Sequence, residues 1–293
     1  MTIVITGSES FVGKELISQC LKLGIQVIGF DLVASPTQDY EFHTADIRAS
    51  NIADYIPEGV DALVHLAALS RDTDCRNKAY KCFDINVMGT LNLMKAAGAR
   101  KVKQFIFASS EWVYDQFIGD EEKDEEAFIN IANHTSEYAL SKLVSEANLR
   151  EQHQNGFCHV TILRFAIIYG PRKSNWSAVE SVFSAVKNQA QVTIGSQKTG
   201  RRFVHVSDIS RGIIKSIGLE GFNIINLAAD KVITLGEIIE TGQAILGKKV
   251  KVTESDPSKV SVRNPSNRKA KQLLNWEPEI DLETGLKILL PWV

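Results

Sequence analysis

The sequence predicts an α/β protein with a doubly wound parallel sheet, followed by a small C-terminal α/β lobe. Two observations carry that expectation. Short, apolar, β-branched runs alternate with amphipathic helical stretches, and a glycine-bearing turn joins the first run to the first helix. Strands that are apolar throughout must be covered on both faces, which is the environment of a parallel sheet.

The elements follow in order. Ile3, Val4 and Ile5 form a buried-strand run. Residues 11–23 place Val12, Leu16, Cys20 and Leu23 at helical spacing. Gly24 ends that helix, because glycine takes the left-handed conformation without steric cost. Residues 26–30 read as a strand closing on Asp31, 62–66 as a strand, and 80–97 as a helix. Residues 104–108 are a strand, 136–154 a helix and 159–165 a strand. Beyond Phe165 the pattern loosens. Helical stretches at 178–188 and 208–217 are interleaved with short strands at 201–206 and 222–227, and Pro257, Pro265, Pro278 and Pro291 punctuate the end. The expected division is therefore 1–165 plus about 203–227 for the sheet domain, and about 166–202 plus 228–293 for the second lobe. The cleft between two such lobes is the default ligand site.

Composition narrows the function classes. The 293 residues carry a net charge of -2, which offers no field for nucleic acid. The acidic stretch 120–126 reads as a solvated loop. Cys20, Cys75, Cys82 and Cys158 form no CxxC pair and no zinc spacing, so reduced thiols and no metal are expected. No signal-like or membrane-length apolar run occurs, and a cytoplasmic location with no membrane partner is expected.

The turn after the first strand reads Thr6-Gly7-Ser8-Glu9-Ser10-Phe11-Val12-Gly13. A glycine turn opening a helix lets backbone approach a pyrophosphate, and the helix N-terminus favours its charge. Gly7, Ser10, Phe11, Val12 and Gly13 are thus candidates to hold a dinucleotide. Asp31 closes the second strand about 20 residues on, where a carboxylate accepts ribose hydroxyls and repels a 2′-phosphate. NAD is the expected cofactor on the expected Rossmann fold. The small residues of Leu66-Ala67-Ala68 could admit the cofactor at the end of the next long strand, whereas His65 reads as a packed core histidine.

Tyr138 and Lys142 stand at i and i+4, on one face of a helix. A free tyrosine has a pKa near about 10, so it needs a nearby cation to act as a base at neutral pH. The preceding strand ends at Ala108-Ser109-Ser110, on the carboxyl edge where such sheets bind ligands.

These motifs together resemble the extended short-chain dehydrogenase/reductases, in particular the NAD-dependent nucleotide-sugar epimerase/dehydratase group. The likeness spans nearly the whole chain. It rests on TGSESFVG at 6–13, Asp31, HLAA at 65–68, NVMGT at 86–90, Ser109-Ser110 with Val113-Tyr114, and YALSK at 138–142. It continues through LRFAIIYGPR at 163–172, RRFVHVSD at 201–208 and LNWEP at 274–278. The resemblance implies that Ser110 bonds the reacting hydroxyl, Tyr138 is the acid/base, and Lys142 holds the nicotinamide ribose and tunes Tyr138. It implies adenine contacts for Asp46 and Ile47, a supporting role beside the cofactor for Asn86, and diphosphate contacts for Arg201 and Arg263. It also implies a homodimer through the helices around 86–97 and 136–154, with Val87, Leu91, Met94, Leu140 and Val144 as surplus apolar positions.

Four departures bear on the reaction. Ser10 replaces the family's middle glycine, Ile167 stands where many relatives carry an Asn that contacts the nucleotide sugar, Asp115 replaces the glycine after Val-Tyr, and Glu111 sits one residue away from the dehydratase glutamate. The leading expectation is a nucleotide-sugar 4-epimerase working through a 4-keto sugar. The alternatives are a 4,6-dehydratase using Glu111 on the substrate, a net NAD-dependent dehydrogenase or reductase and, last, a non-catalytic NAD-binding regulator.

Overall fold

The computed structural model describes residues 1–34 and 39–293. In chain order, β1 (Thr2–Thr6) leads into α1 (Phe11–Lys22), β2 (Gln26–Asp31), β3 (Glu41–Thr44) and β4 (Ala62–His65). Two short helices, α2 (Asp72–Cys75) and α3 (Ala79–Phe83), precede a π-helical turn at Asp84–Met88 and then α4 (Gly89–Ala99). Next come β5 (Gln104–Ser110), α5 (Glu137–Gln154), β6 (His159–Phe165), β7 (Ile168–Tyr169), α6 (Ala178–Asn188) and β8 (Gln191–Ile194). They are followed by β9 (Gly200–Arg201), β10 (Val204–His205), α7 (Val206–Ser216), β11 (Phe222–Leu227) and β12 (Ile233–Thr234). The chain closes with α8 (Leu235–Leu246), β13 (Lys251–Glu254), β14 (Val262–Arg263), α9 (Arg268–Leu274) and α10 (Leu282–Leu289).

Seven strands form one sheet in the order β11-β6-β5-β4-β1-β2-β3. The pairs β1–β2, β1–β4, β2–β3 and β4–β5 are all parallel. The order reverses between β1 and β4, and a crevice beyond the carboxyl ends of strands at such a point is where these sheets bind ligands. The apolar runs are interior as expected: Ile3, Val4, Ile5, Leu63 and Val64 are all fully buried. Burying each such side chain contributes about 1.5–3 kcal/mol. On α1 the inward residues are Leu16, Ile17 and Cys20, and the helix ends at Leu23 before Gly24, whose φ of +70° is left-handed.

The described residues group into two compact units. The first comprises Met1–Asp115, Phe128–Arg164 and Ser210–Ile225. Its core runs through Leu63, Phe105, Phe107 and Val160 of the sheet, with Leu93 and Leu149 from α4 and α5. The second comprises Gln116–Ala127, Phe165–Ile209 and Asn226–Val293. There Phe183 and Val186 of α6 pack with Ile238 of α8 and Leu286 of α10. Trp276 is fully buried in this unit and donates its indole N–H to the Asp208 carbonyl at 2.9 Å.

The acidic stretch keeps Asp120, Glu121, Glu122, Asp124 and Glu126 exposed, as a solvated loop would, but turns two residues inward. Lys123 and Glu125 are buried. Backbone bonds run from Lys123 N–H to the Asn264 carbonyl at 3.1 Å and from Ser266 N–H to the Lys123 carbonyl at 2.8 Å. The Glu125 carboxylate accepts from Asn226 N–H at 2.7 Å. Part of that charge therefore serves the second unit's interior. No helix among the described residues is long and apolar enough to cross a membrane.

Candidate active site

The dinucleotide turn is built as its sequence requires. Gly7 has φ +73°, and a Cβ there would lie 2.7 Å from the Ala67 amide nitrogen. A Cβ on Gly13 would overlap the Gly7 carbonyl oxygen. Both positions thus exclude side chains, and α1 starts tight against β1 and β4. Ser10 explains its own departure from glycine. Its backbone is extended (φ -68°, ψ 168°), which any residue adopts, and its hydroxyl caps α1 by accepting from Gly13 N–H at 3.0 Å. Phe11 and Val12 are half-buried at the first turn of the helix.

Around this turn the other cofactor candidates take distinct places. Asp31 ends β2, and its carboxylate accepts from Glu9 N–H at 2.9 Å and Val33 N–H at 3.1 Å. Leu66, Ala67 and Ala68 are half-buried where β4 leaves the core, a small-residue opening beside Gly7. Asp46 is gripped by Arg48, which holds its carboxyl below the usual range, and Arg48 also bonds Asp84. Ile47 is buried against Gly89. Asn86 sits on the π-helical turn. Its amide bonds the Leu69 N–H at 2.8 Å, the Leu69 carbonyl at 3.1 Å and the Ser141 hydroxyl at 3.0 Å. It thereby ties the β4 exit to α5. These residues fit a dinucleotide: a side-chain-free turn at a helix N-terminus and an acidic strand end.

His65 is a core residue, as expected. Its ring bonds Thr6 at 2.8 Å and Thr90 at 2.9 Å. Burial first, then the Lys142 charge, push its pKa down to about 3.

Ser110, Tyr138 and Lys142 converge within the first unit. Ser110 ends β5, and its hydroxyl accepts from Trp112 N–H at 3.2 Å. The same hydroxyl lies close enough to the Tyr138 phenol to favour its phenolate. Ser136 caps α5 by accepting from Ala139 N–H at 3.2 Å, which sets Tyr138 in the first turn. Lys142, one turn on, donates to the Ala108 carbonyl at 2.8 Å and lies 4.7 Å from the Phe107 ring centroid. Burial pushes the Tyr138 phenol up to about 12, opposed by the Ser110 hydroxyl and reinforced by Cys75 and Cys82. Burial likewise brings Lys142 down to about 8. The two thiols and Tyr138 form one apolar cluster with Leu69, Phe83 and Trp112 against it. Among the described residues no group of three or more metal-ligating side chains occurs.

Glu111 is fully buried, with both carboxylate oxygens enclosed, in the short turn after β5. The sequence reading missed a second buried carboxylate, Glu146. It accepts from Ser109 at 2.5 Å and from Arg164 at 3.1 and 2.7 Å, and Arg164 donates to Tyr114 at 3.1 Å. The available signal was spacing: Tyr138, Lys142 and Glu146 follow one another every fourth residue on one face of α5.

Arg201 and Arg263 are neighbours in the second unit, directly paired in the parallel register of β9 and β14. Arg201 donates to the Gly200 carbonyl at 2.7 Å and the Ser261 carbonyl at 2.6 Å. Arg263 lies over the Phe117 ring at 5.0 Å. The adjacent Arg202 is buried, donating to Asn264 at 2.6 Å and Glu122 at 2.6 Å.

The chain is similar to a UDP-glucuronate 4-epimerase of Thermodesulfobacterium geofontis, 28% identical over 99% of this chain and 95% of that protein. A putative UDP-glucose 4-epimerase of Methanocaldococcus jannaschii is 26% identical over 99% of this chain and 98% of its own length. Among solved structures, UDP-glucose 4-epimerase of Thermotoga maritima with UDP-glucose superposes with a TM-score of 0.87 at 23% identity, covering 100% of this chain and 98% of that one. The model of the NAD-dependent epimerase/dehydratase family matches residues 3–228, a span that contains the glycine turn, Asp31 and the Ser110, Tyr138 and Lys142 cluster. With its fold, its dinucleotide turn and that match in agreement, the chain belongs to the NAD-dependent epimerase/dehydratase family of enzymes.

Proposed function

We propose that the protein is a nucleotide-sugar 4-epimerase acting through a transient 4-keto sugar. The observation that carries this reading is the convergence of Ser110 at the end of β5 with Tyr138 and, one turn along α5, Lys142, whose ammonium lies 5.9 Å from the Tyr138 ring centroid. Ser110 orients the sugar hydroxyl. Tyr138 takes the hydroxyl proton as the carbonyl forms and returns a proton when the alcohol re-forms. Lys142 supplies the positive charge that favours the phenolate. Bound NAD supplies the acceptor, and then the donor, of the hydride at C4. Arg201 and Arg263 hold the substrate diphosphate. The enclosure of Glu111 supports epimerisation over 4,6-dehydration, since elimination across C5 and C6 needs a carboxylate presented to the sugar. The relatives named above make UDP-hexoses and UDP-hexuronates the first candidates.

The test is incubation with UDP-, dTDP-, GDP- and CDP-sugars in the presence of NAD, followed by NMR. A C4 epimer without net change in nicotinamide absorbance is the expected result. Accumulation of a 4-keto-6-deoxy sugar would establish a dehydratase, and stoichiometric NADH would establish a net dehydrogenase.

A further inference from the structure

Asp31 is not the only carboxylate fixed at the dinucleotide turn. Glu9 lies two residues after Gly7, and its own N–H donates to Asp31 Oδ2 at 2.9 Å. The Glu9 carboxylate is restrained in turn. Oε1 accepts from the Tyr40 hydroxyl at 2.8 Å, and Oε2 pairs with Lys14 Nζ at 3.2 Å. Its side chain is 7% exposed, against 60% for Lys14, so the carboxylate is held at the turn and the ammonium reaches it from solvent. Tyr40 lies just before β3, at the far end of the segment that begins with Asp31. A turn that receives a pyrophosphate gains nothing from an added carboxylate, because like charges repel. A negative charge restrained by two partners here calls for a purpose.

We infer that Glu9 is a second selector of NAD over NADP, acting with Asp31. The inference rests on the reading that Asp31 faces the adenosine ribose. NADP differs from NAD by a phosphate on the 2′-oxygen. Asp31 accepts from the 2′-hydroxyl and repels that phosphate. Glu9, whose backbone N–H bonds Asp31, adds a second carboxylate to the same turn. Lys14 would otherwise be a cation available to a 2′-phosphate, and Glu9 holds it in an ion pair. Removing the Glu9 charge therefore has two effects of the same sign: less repulsion and a released ammonium.

The experiment is calorimetric titration of NAD and NADP into the wild type and the D31N, E9Q, E9Q/D31N and Y40F variants, each confirmed folded by circular dichroism. E9Q should tighten NADP by about tenfold, the scale of one added or removed charge at close range, while NAD stays within about threefold. The double variant should gain more than either single one. Y40F keeps the carboxylate and should keep the discrimination. If D31N narrows the NAD/NADP gap and E9Q does not, the inference about Glu9 falls while the reading of Asp31 stands. If D31N leaves the gap unchanged, the reading of Asp31 itself fails. If Y40F narrows the gap as far as E9Q does, Glu9 acts by shaping the turn, and its selecting charge is refuted.

Discussion

The Lys142 ammonium stands 5.9 Å from the centroid of the Tyr138 ring, anchored on the Ala108 carbonyl of β5. The cation is thus held near the phenol from a fixed point on the sheet. Burial opposes both charged forms, lifting the phenol to about 12 and lowering the ammonium to about 8.

That pair of shifts predicts an alkaline limb. Below pH 8 Lys142 is charged and supports the phenolate; above it the ammonium is lost. Epimerisation should fall as pH rises through about 8, the value to which burial brings Lys142. The stability effect has the opposite sign. The folded pKa lies below the unfolded value of 10.5, so the burial penalty is complete below pH 8 and is relieved between 8 and 10.5. Turnover should thus decline while the urea midpoint, corrected for other groups with a Lys142→Met control, does not decline with it. A rate that stays flat to pH 10 would remove Lys142 from the chemistry.

Tyr138→Phe should leave the fold and NAD affinity intact, because the ring packs in the same apolar cluster with Cys75 and Cys82. Loss of the acid/base oxygen should lower kcat by about 10²–10⁴-fold. Steady-state kinetics on the substrate found by NMR, with calorimetry for NAD, would check it. Near-normal turnover would mean that another group carries the proton.

The local parts of this site were legible in the sequence, and the long-range parts were not. Tyr138 and Lys142 declare themselves because four residues on a helix define one face, and Gly7 to Gly13 because one turn carries the whole motif. Glu146 and Arg164 did not, since nothing local says that a helix carboxylate and a strand guanidinium will be buried together. In the stretch 120–126 the solvated-loop expectation fails only at Lys123 and Glu125, for a similar reason: their partners are Asn226, Asn264 and Ser266, more than a hundred residues on. Helix 80–97 was predicted as one continuous element. The π-helical turn at Asp84–Met88 adds a residue and rotates α4 by about 100° relative to an unbroken helix. Val87 and Met94, expected as surplus apolar surface, are buried in the chain's own core.

Glu111→Gln separates two reactions. The carboxylate is enclosed after β5, so a 4-epimerase should keep most of its kcat and show at most a change in stability. Loss of product formation with continued oxidation to the 4-keto sugar, seen by NMR, would instead give Glu111 a part in elimination.

A homodimer through α4 and α5 is the expected assembly. With Val87 and Met94 buried, the apolar surface left there is Met88 (56% exposed) and Val144 (36%), beside half-buried Leu91 and Leu140. Light scattering at micromolar concentration should give twice the 32.5 kDa chain mass. A Met88→Asp/Val144→Asp variant should shift it towards the monomer, since an uncompensated charge is costly to bury. A wild-type monomer would refute the assembly.

The Glu146–Arg164 ion pair yields the last prediction. Both side chains are almost fully buried, 7% and 4% exposed, and the carboxylate also receives Ser109, the neighbour of Ser110. Glu146→Ala strands a buried guanidinium and should destabilise the protein by about 3–5 kcal/mol, read from urea unfolding. Replacing both charges, as Glu146→Leu/Arg164→Met, removes the stranded charge and should recover much of that loss, because well-packed apolar pairs often match a buried ion pair. The double variant distinguishes a structural pair from one that positions Ser110. If the pair only stabilises the fold, kcat returns with stability. If it fixes the end of β5 through Ser109, the variant is stable, binds NAD normally and stays slow, with the defect in kcat and not in KM. The hydrogen bonds to Ser109 and Tyr114 favour the second outcome, because both partners flank Ser110 in sequence and no apolar replacement can hold them.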